Sequence, residues 1–146
     1  MASVLDERLM RRAIALARTR LGETGDNPAV GCLIARGHVV LAEAATAPGG
    51  RPHAEEQALA IAGAAARGAS VYVSLEPCAE RSSGAPSCSE LLIAAGVARV
   101  VVAGHDPGPL ASGGGVDRLR AAGVLVETGV LAAEADTLYA DYRRRL

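Results

Sequence analysis

Apolar and polar residues alternate along this chain in patterns that mark out its elements. Over residues 6–21, Leu9, Ala13, Leu16 and Ala17 fall on one face with the arginines largely elsewhere, which predicts an amphipathic helix. The run 29–35, AVGCLIA, is short and continuously apolar, as a buried strand is. Arg36-Gly37 then makes a tight turn into a second strand at 38–44, so the two strands form a hairpin. The breaker-rich loop APGGR leads to an Ala- and Glu-rich helix over 54–67, and 71–75 is a third strand. An irregular loop over 76–87 ends at Ser87, which caps a helix running to Ala95. A fourth strand at 97–103, a Gly/Pro-rich loop at 106–115, a helix to Ala122, a fifth strand at 124–127 and a closing helix at 131–145 complete the pattern.

The hairpin is antiparallel, whereas the later strands alternate with helices. Helical crossovers of that kind build parallel strands. The expected fold is therefore α/β: a mixed five-stranded sheet with helices on both faces, a three-layer α/β/α arrangement. No linker, repeat or low-complexity segment divides it, so residues 1–146 read as one domain.

Composition narrows the function. Half of the 146 residues are apolar, yet there is no Phe or Trp and only three Tyr, so the core must be built from Val, Leu, Ile and Ala. A net charge of -1 and so few aromatics argue against a nucleic-acid binder, which wants a basic face and stacking platforms. No apolar run approaches the roughly 20 residues of a membrane span, and residues 1–12 mix Asp, Glu and Arg without a signal-peptide core. A cytoplasmic enzyme acting on a small molecule is the expectation. The three cysteines, Cys32, Cys78 and Cys88, are an odd number in such a chain and point to metal binding or catalysis rather than to disulfides.

The decisive residues are His53-Ala54-Glu55 and Pro77-Cys78, with Cys88 ten positions further on. Imidazole nitrogen and thiolate sulfur suit zinc, and a catalytic zinc has three protein ligands and one open position. His53 opens a helix, Cys78 follows a strand and Cys88 opens the next helix; such ends converge on one crevice of an open α/β sheet. Helix N-termini also favour the thiolate. Zinc lowers the pKa of water bound to it. Glu55, two positions past His53, can share the crevice without binding metal and serve as general acid/base, the arrangement of zinc deaminases. A structural zinc needs a fourth ligand, but Cys32 lies mid-strand and is expected in the core. His38 is expected on the surface, and His105 borders the crevice.

These motifs carry a resemblance. From Met10 to Tyr139 the sequence resembles the cytidine-deaminase-like superfamily, and within it the deaminase domain of the bifunctional riboflavin-biosynthesis deaminase/reductase. The shared residues are Met10-Arg11-Arg12-Ala13, Asn27-Pro28-Ala29-Val30-Gly31-Cys32, Pro52-His53-Ala54-Glu55, Leu75-Glu76-Pro77-Cys78, Ala94-Ala95-Gly96-Val97, and Asp106-Pro107 with Pro109-Leu110. The resemblance implies a three-layer domain, one zinc held by His53, Cys78 and Cys88, a proton shuttle in Glu55, and a substrate contact in Asn27. It also implies association into a homo-oligomer, most simply a dimer, for which the Ala/Leu strip of the 54–67 helix offers a face. Residues 1–146 are expected to hold the deaminase domain alone, without a reductase domain.

Three departures fall on loops that contact substrate in the family. The Cys78–Cys88 segment is one residue longer and has Glu80 in place of a His. Thr46 aligns with another His of the family, and Asp106-Pro107-Gly108-Pro109 replaces Asp-Pro-Asn-Pro. Thr46, Glu80, Arg81 and Asp106 thus join Asn27 as expected substrate-binding positions, with Arg81 or Arg51 left to meet a ribose phosphate. The expected activity is deamination of an aminopyrimidine of the riboflavin-pathway type. The alternative is deamination of an unphosphorylated nucleobase or nucleoside. A tRNA adenosine deaminase is disfavoured by the long Cys-to-Cys spacing, and an inactive scaffold by the presence of Glu55.

Overall fold

The computed structural model describes residues 2–79, 81, 84–106 and 114–145. Helix α1 (Val4–Arg18) starts at Ser3, whose hydroxyl accepts the Asp6 N–H while the Asp6 carboxylate accepts the Ser3 N–H. The helix begins and ends earlier than its apolar spacing predicts. Its buried face holds Met10 and Ile14 together with Leu9, Ala13 and Ala17, while Leu16 is only half-buried.

Strands β1 (Gly31–Arg36) and β2 (Val39–Ala45) form the expected hairpin, with a bulge between Ile34 and Ala35. Helix α2 (Ala54–Ala62) is shorter than expected. Gly63, at φ 55° and ψ −135°, ends it, and a 3-10 turn over Gly63–Ala66 follows. Then come β3 (Ser70–Leu75), α3 (Cys88–Ala95), β4 (Arg99–Gly104), α4 (Gly114–Ala121), β5 (Leu125–Glu127) and α5 (Ala132–Arg144). Ser87 caps α3 as expected, its hydroxyl accepting the Glu90 N–H.

The sheet order is β2-β1-β3-β4-β5. Strand β1 is antiparallel to both β2 and β3, and β3, β4 and β5 are parallel. Helices α1 and α5 pack on one face, and α2, α3 and α4 on the other. This is the mixed five-stranded, three-layer α/β/α arrangement that the strand and helix pattern predicts. The central strands β3 and β4 are covered on both faces, so nearly every residue in them is buried. The core is aliphatic, as the composition requires, with Tyr139 the largest fully buried side chain.

One polar cluster ties the layers together at the end of the sheet where β3 and β4 begin. Asp6 is 4% exposed and accepts hydrogen bonds from Tyr72 Oη at 2.8 Å and from both terminal nitrogens of Arg99 at 2.8 and 2.7 Å. Arg99 also pairs with Glu127 of β5. The Arg99 guanidinium holds the Asp6 carboxyl well below the usual carboxylate range against the opposing effect of burial. The opposite end of the sheet is left for chemistry. Among the described residues, no helix is long and apolar enough to cross a membrane.

Candidate active site

Six chain segments meet at that opposite end. Because β1 is antiparallel to β3, the start of β1 lies beside the end of β3, and the end of β2 lies beside the start of β1. The end of β4 is alongside, since β4 runs parallel to β3. The N-termini of α2 and α3, which pack against each other on one face, bring His53 and Cys88 to the same place.

His53 precedes α2, Cys78 follows β3 and Cys88 is the first residue of α3. Their potential ligand atoms all lie within 4.8 Å of one another. His53 Nδ1 is 3.3 Å from Cys88 Sγ, and the Cys88 N–H donates to Cys78 Sγ at 3.2 Å. A helix N-terminus thus supplies a donor to a sulfur that must carry negative charge. Cys78 is drawn down to about 4, first by its hydrogen bond with Cys88, and the same pairing together with burial pushes Cys88 up. One imidazole and two sulfurs at this separation fit zinc in its three-ligand, open form. Cys32 lies in the core as expected, with no exposed surface.

Glu55, the second residue of α2, is 4% exposed. Burial raises its carboxyl from 4.5 to about 7, against smaller opposing contributions from hydrogen bonds and His53. A carboxyl at that value both gives and takes protons near neutral pH.

The remaining expected positions behave differently from one another. Asn27 is half-buried; its Nδ2 donates to the Gly50 carbonyl at 3.0 Å. Gly50 has φ +99°, and a Cβ there would sit 2.6 Å from both Asn27 Nδ2 and the Thr24 carbonyl oxygen. Thr46 is 1% exposed, and its hydroxyl accepts the Val30 N–H at 2.9 Å. That hydroxyl braces the Asn27–Val30 segment from within. Asp106 is 8% exposed and accepts a hydrogen bond from Tyr142 of α5. Arg51 is exposed. Arg81 is turned inward, with its side chain 8% exposed, onto Glu56 at 2.7 Å and Cys88 Sγ at 3.6 Å. Glu80, and Pro107-Gly108-Pro109-Leu110, lie outside the described residues. His105 is largely exposed and pairs with the buried Glu76 at 2.8 Å, while His38 is on the surface.

Several supporting residues carry no signal in the motif. Glu56 accepts the His53 N–H at 3.0 Å, and Gln57 Nε2 donates to the Ala45 carbonyl at 2.7 Å, tying α2 to the end of β2. The capping spacing from position 53 to Glu56 is visible in the sequence, but His is not a usual cap and hides it. Tyr139 of α5 donates to the Ala29 carbonyl at 2.7 Å and accepts from Ser74, which accepts the Gly31 N–H at 2.9 Å. Gly115 of α4 lets Pro77 approach so closely that a Cβ would stand 2.0 Å from the Pro77 carbonyl oxygen.

Residues 3–104 match the family model described as the cytidine and deoxycytidylate deaminase zinc-binding region. The chain is 43% identical over 141 residues to the riboflavin biosynthesis protein RibD of Escherichia coli, covering 97% of this chain and 38% of that protein. It is 37% identical over 137 residues to the diaminohydroxyphosphoribosylamino-pyrimidine deaminase of Buchnera aphidicola, covering 94% and 92% of the two chains. The solved structure of Acinetobacter baumannii RibD superposes with a TM-score of 0.89 at 42% identity, covering 96% of this chain and 39% of that one. The chain thus spans well under half the length of the RibD proteins it matches. On the family match and these identities, with three ligand-type side chains gathered beside a buried glutamate, the chain belongs to the cytidine and deoxycytidylate deaminase zinc-binding family.

Proposed function

We propose that this chain is a zinc-dependent hydrolytic deaminase that replaces an exocyclic amino group of an aminopyrimidine with oxygen and releases ammonia. The observation that carries this reading is Glu55, a buried carboxyl raised to about 7 beside the convergent His53, Cys78 and Cys88. His53, Cys78 and Cys88 would hold the zinc, which would supply Lewis acidity to the reaction. Glu55 takes a proton from the attacking water and passes it to the ring nitrogen of the amidine. It then delivers the second water proton to the departing amine. One carboxyl serves each transfer because the transfers are sequential. Asn27, whose Nδ2 donates to the Gly50 carbonyl, is the proposed substrate contact.

The riboflavin-pathway aminopyrimidine is the first candidate substrate, supported by the Buchnera relative that matches over nearly its whole length. An unphosphorylated nucleobase or nucleoside is the second reading. It is favoured by the commitment of Arg81 to Glu56 and of the Thr46 hydroxyl to backbone, which withdraws two expected donors from a ribose phosphate. Ammonia release across aminopyrimidines, purines and pterins, with and without the ribose phosphate, separates the two. Turnover confined to the phosphorylated aminopyrimidine rules out the second reading, and no turnover of any member refutes the deaminase reading. The enzyme is proposed to be cytoplasmic and a homo-oligomer, with the exposed side of α2 around Ile61 as the contact. A monomer mass by light scattering at micromolar concentration refutes that assembly.

A further inference from the structure

Arg81 lies between the two cysteines in sequence, and its side chain is turned inward, onto Glu56 and Cys88. One terminal nitrogen of its guanidinium lies 2.7 Å from Glu56 Oε1 and 3.6 Å from Cys88 Sγ, so its two hydrogens can serve both acceptors. The same Glu56 oxygen accepts the His53 N–H at 3.0 Å, and His53 Nδ1 returns to Cys88 Sγ at 3.3 Å. The contacts close a ring: His53 backbone, Glu56, Arg81, Cys88, His53 imidazole. Two expected metal ligands from different elements, one before α2 and one at the start of α3, are thereby tied together through a single ion pair.

The ion pair is well sheltered on the arginine side, with the Arg81 side chain 8% exposed and Glu56 27%. A partly buried pair of this kind keeps its geometry, unlike an exposed one. An N–H aimed at a thiolate draws charge from the sulfur. A sulfur that donates less leaves the bound metal more electrophilic, and partners of this kind orient the ligands they touch.

We propose that Arg81 is a positioning residue of the metal site: its guanidinium links Cys88 Sγ to Glu56 and so sets the placement and charge of the second cysteine ligand, in place of a direct contact with substrate. The proposal rests on the zinc reading given above. Its test compares zinc-loaded wild type with Arg81→Gln, Arg81→Lys and Glu56→Gln. Three quantities are read: the rate at which zinc passes to a chromogenic chelator, the thiolate-to-cobalt charge-transfer band of the Co2+-substituted protein, and kcat and KM for whichever aminopyrimidine is turned over. Arg81→Gln is expected to release zinc roughly 10- to 100-fold faster, shift the cobalt band and lower kcat with KM little changed. Arg81→Lys, which keeps the charge but not the planar fork, is expected to fall between. If Arg81→Gln does not accumulate as folded protein, the other two variants decide the matter, and both must release zinc faster than wild type. A normal release rate and cobalt band with a raised KM make Arg81 a substrate ligand and overturn the proposal. Variants indistinguishable from a zinc-retaining wild type overturn it alone, whereas a wild type that retains no zinc overturns the metal reading as well.

Discussion

Glu55→Gln removes the capacity to carry a proton and little else. Glutamine keeps the length of the side chain, and both residues suit a helix. Two consequences follow in opposite directions. A general acid/base that handles each proton of the cycle is worth about a hundredfold to ten-thousandfold in rate, or roughly 3 to 5 kcal/mol of barrier. Stability moves the other way. Burial raises the Glu55 carboxyl from 4.5 to about 7 in the folded chain. A group raised on folding contributes stability that is complete below its unfolded value and is lost as pH rises through the folded one. At about 1.4 kcal/mol per unit, the charged carboxylate costs the metal-stripped chain about 3 kcal/mol at pH 8. Glutamine has no such cost, so the metal-stripped variant should exceed wild type by up to about that amount at pH 8 and lose its advantage near pH 4.5. Bound zinc brings positive charge to the carboxylate and should shrink the gain. Ammonia release, zinc content by elemental analysis, and urea unfolding at the two pH values read the three effects. Retained activity would remove Glu55 from the reaction. Loss of zinc would make it a ligand, and a variant less stable than wild type at pH 8 would show that burial is not what raises the carboxyl.

Three further perturbations test the scaffold. Asp6→Asn breaks a buried pair whose carboxylate is held low by Arg99, and should cost about 3 kcal/mol at pH 7 by urea unfolding. Because the folded value is depressed, that stability is present above about pH 4 and lost on acidification, so the gap to wild type should narrow as pH falls; a gap constant down to pH 2 would exclude the charge as its source. Tyr139→Phe strips the Ala29 carbonyl of the donor that α5 supplies, and should cost about 1 to 3 kcal/mol in thermal unfolding while leaving zinc content intact. Gly115→Ala forces α4 away from the Pro77 carbonyl or displaces Pro77-Cys78, so zinc should pass to a chelator faster although Gly115 touches no metal; an unchanged release rate would show that α4 yields and the ligand loop does not.

The elements of the fold and the four central residues of the site are legible in the sequence because each is a local signal. Periodicity marks the strands and helices over a few turns, and the positions of His53, Cys78 and Cys88 at element ends follow from it. Their convergence follows from the α/β class, since strand ends and helix starts share one side of such a sheet. Element ends were less legible: α2 stops at Gly63 in a conformation that alanine-rich spacing does not announce. What only the tertiary structure decides is which side chains spend their polar groups on one another. Thr46 and Arg81 read as free to meet a substrate, but Thr46 is closed over the Val30 backbone and Arg81 over Glu56 and Cys88. Asp6 and Arg99, and Ser74 and Tyr139, stand 93 and 65 positions apart and show no pairing in sequence. A buried donor must find an acceptor within about 3 Å, and that requirement is met by whatever the packed layers bring near, not by neighbours along the chain. Residue type and spacing therefore determine the chemistry this chain can carry, and the packing of α2, α3 and α5 around the sheet end determines which of its polar groups remain to perform it.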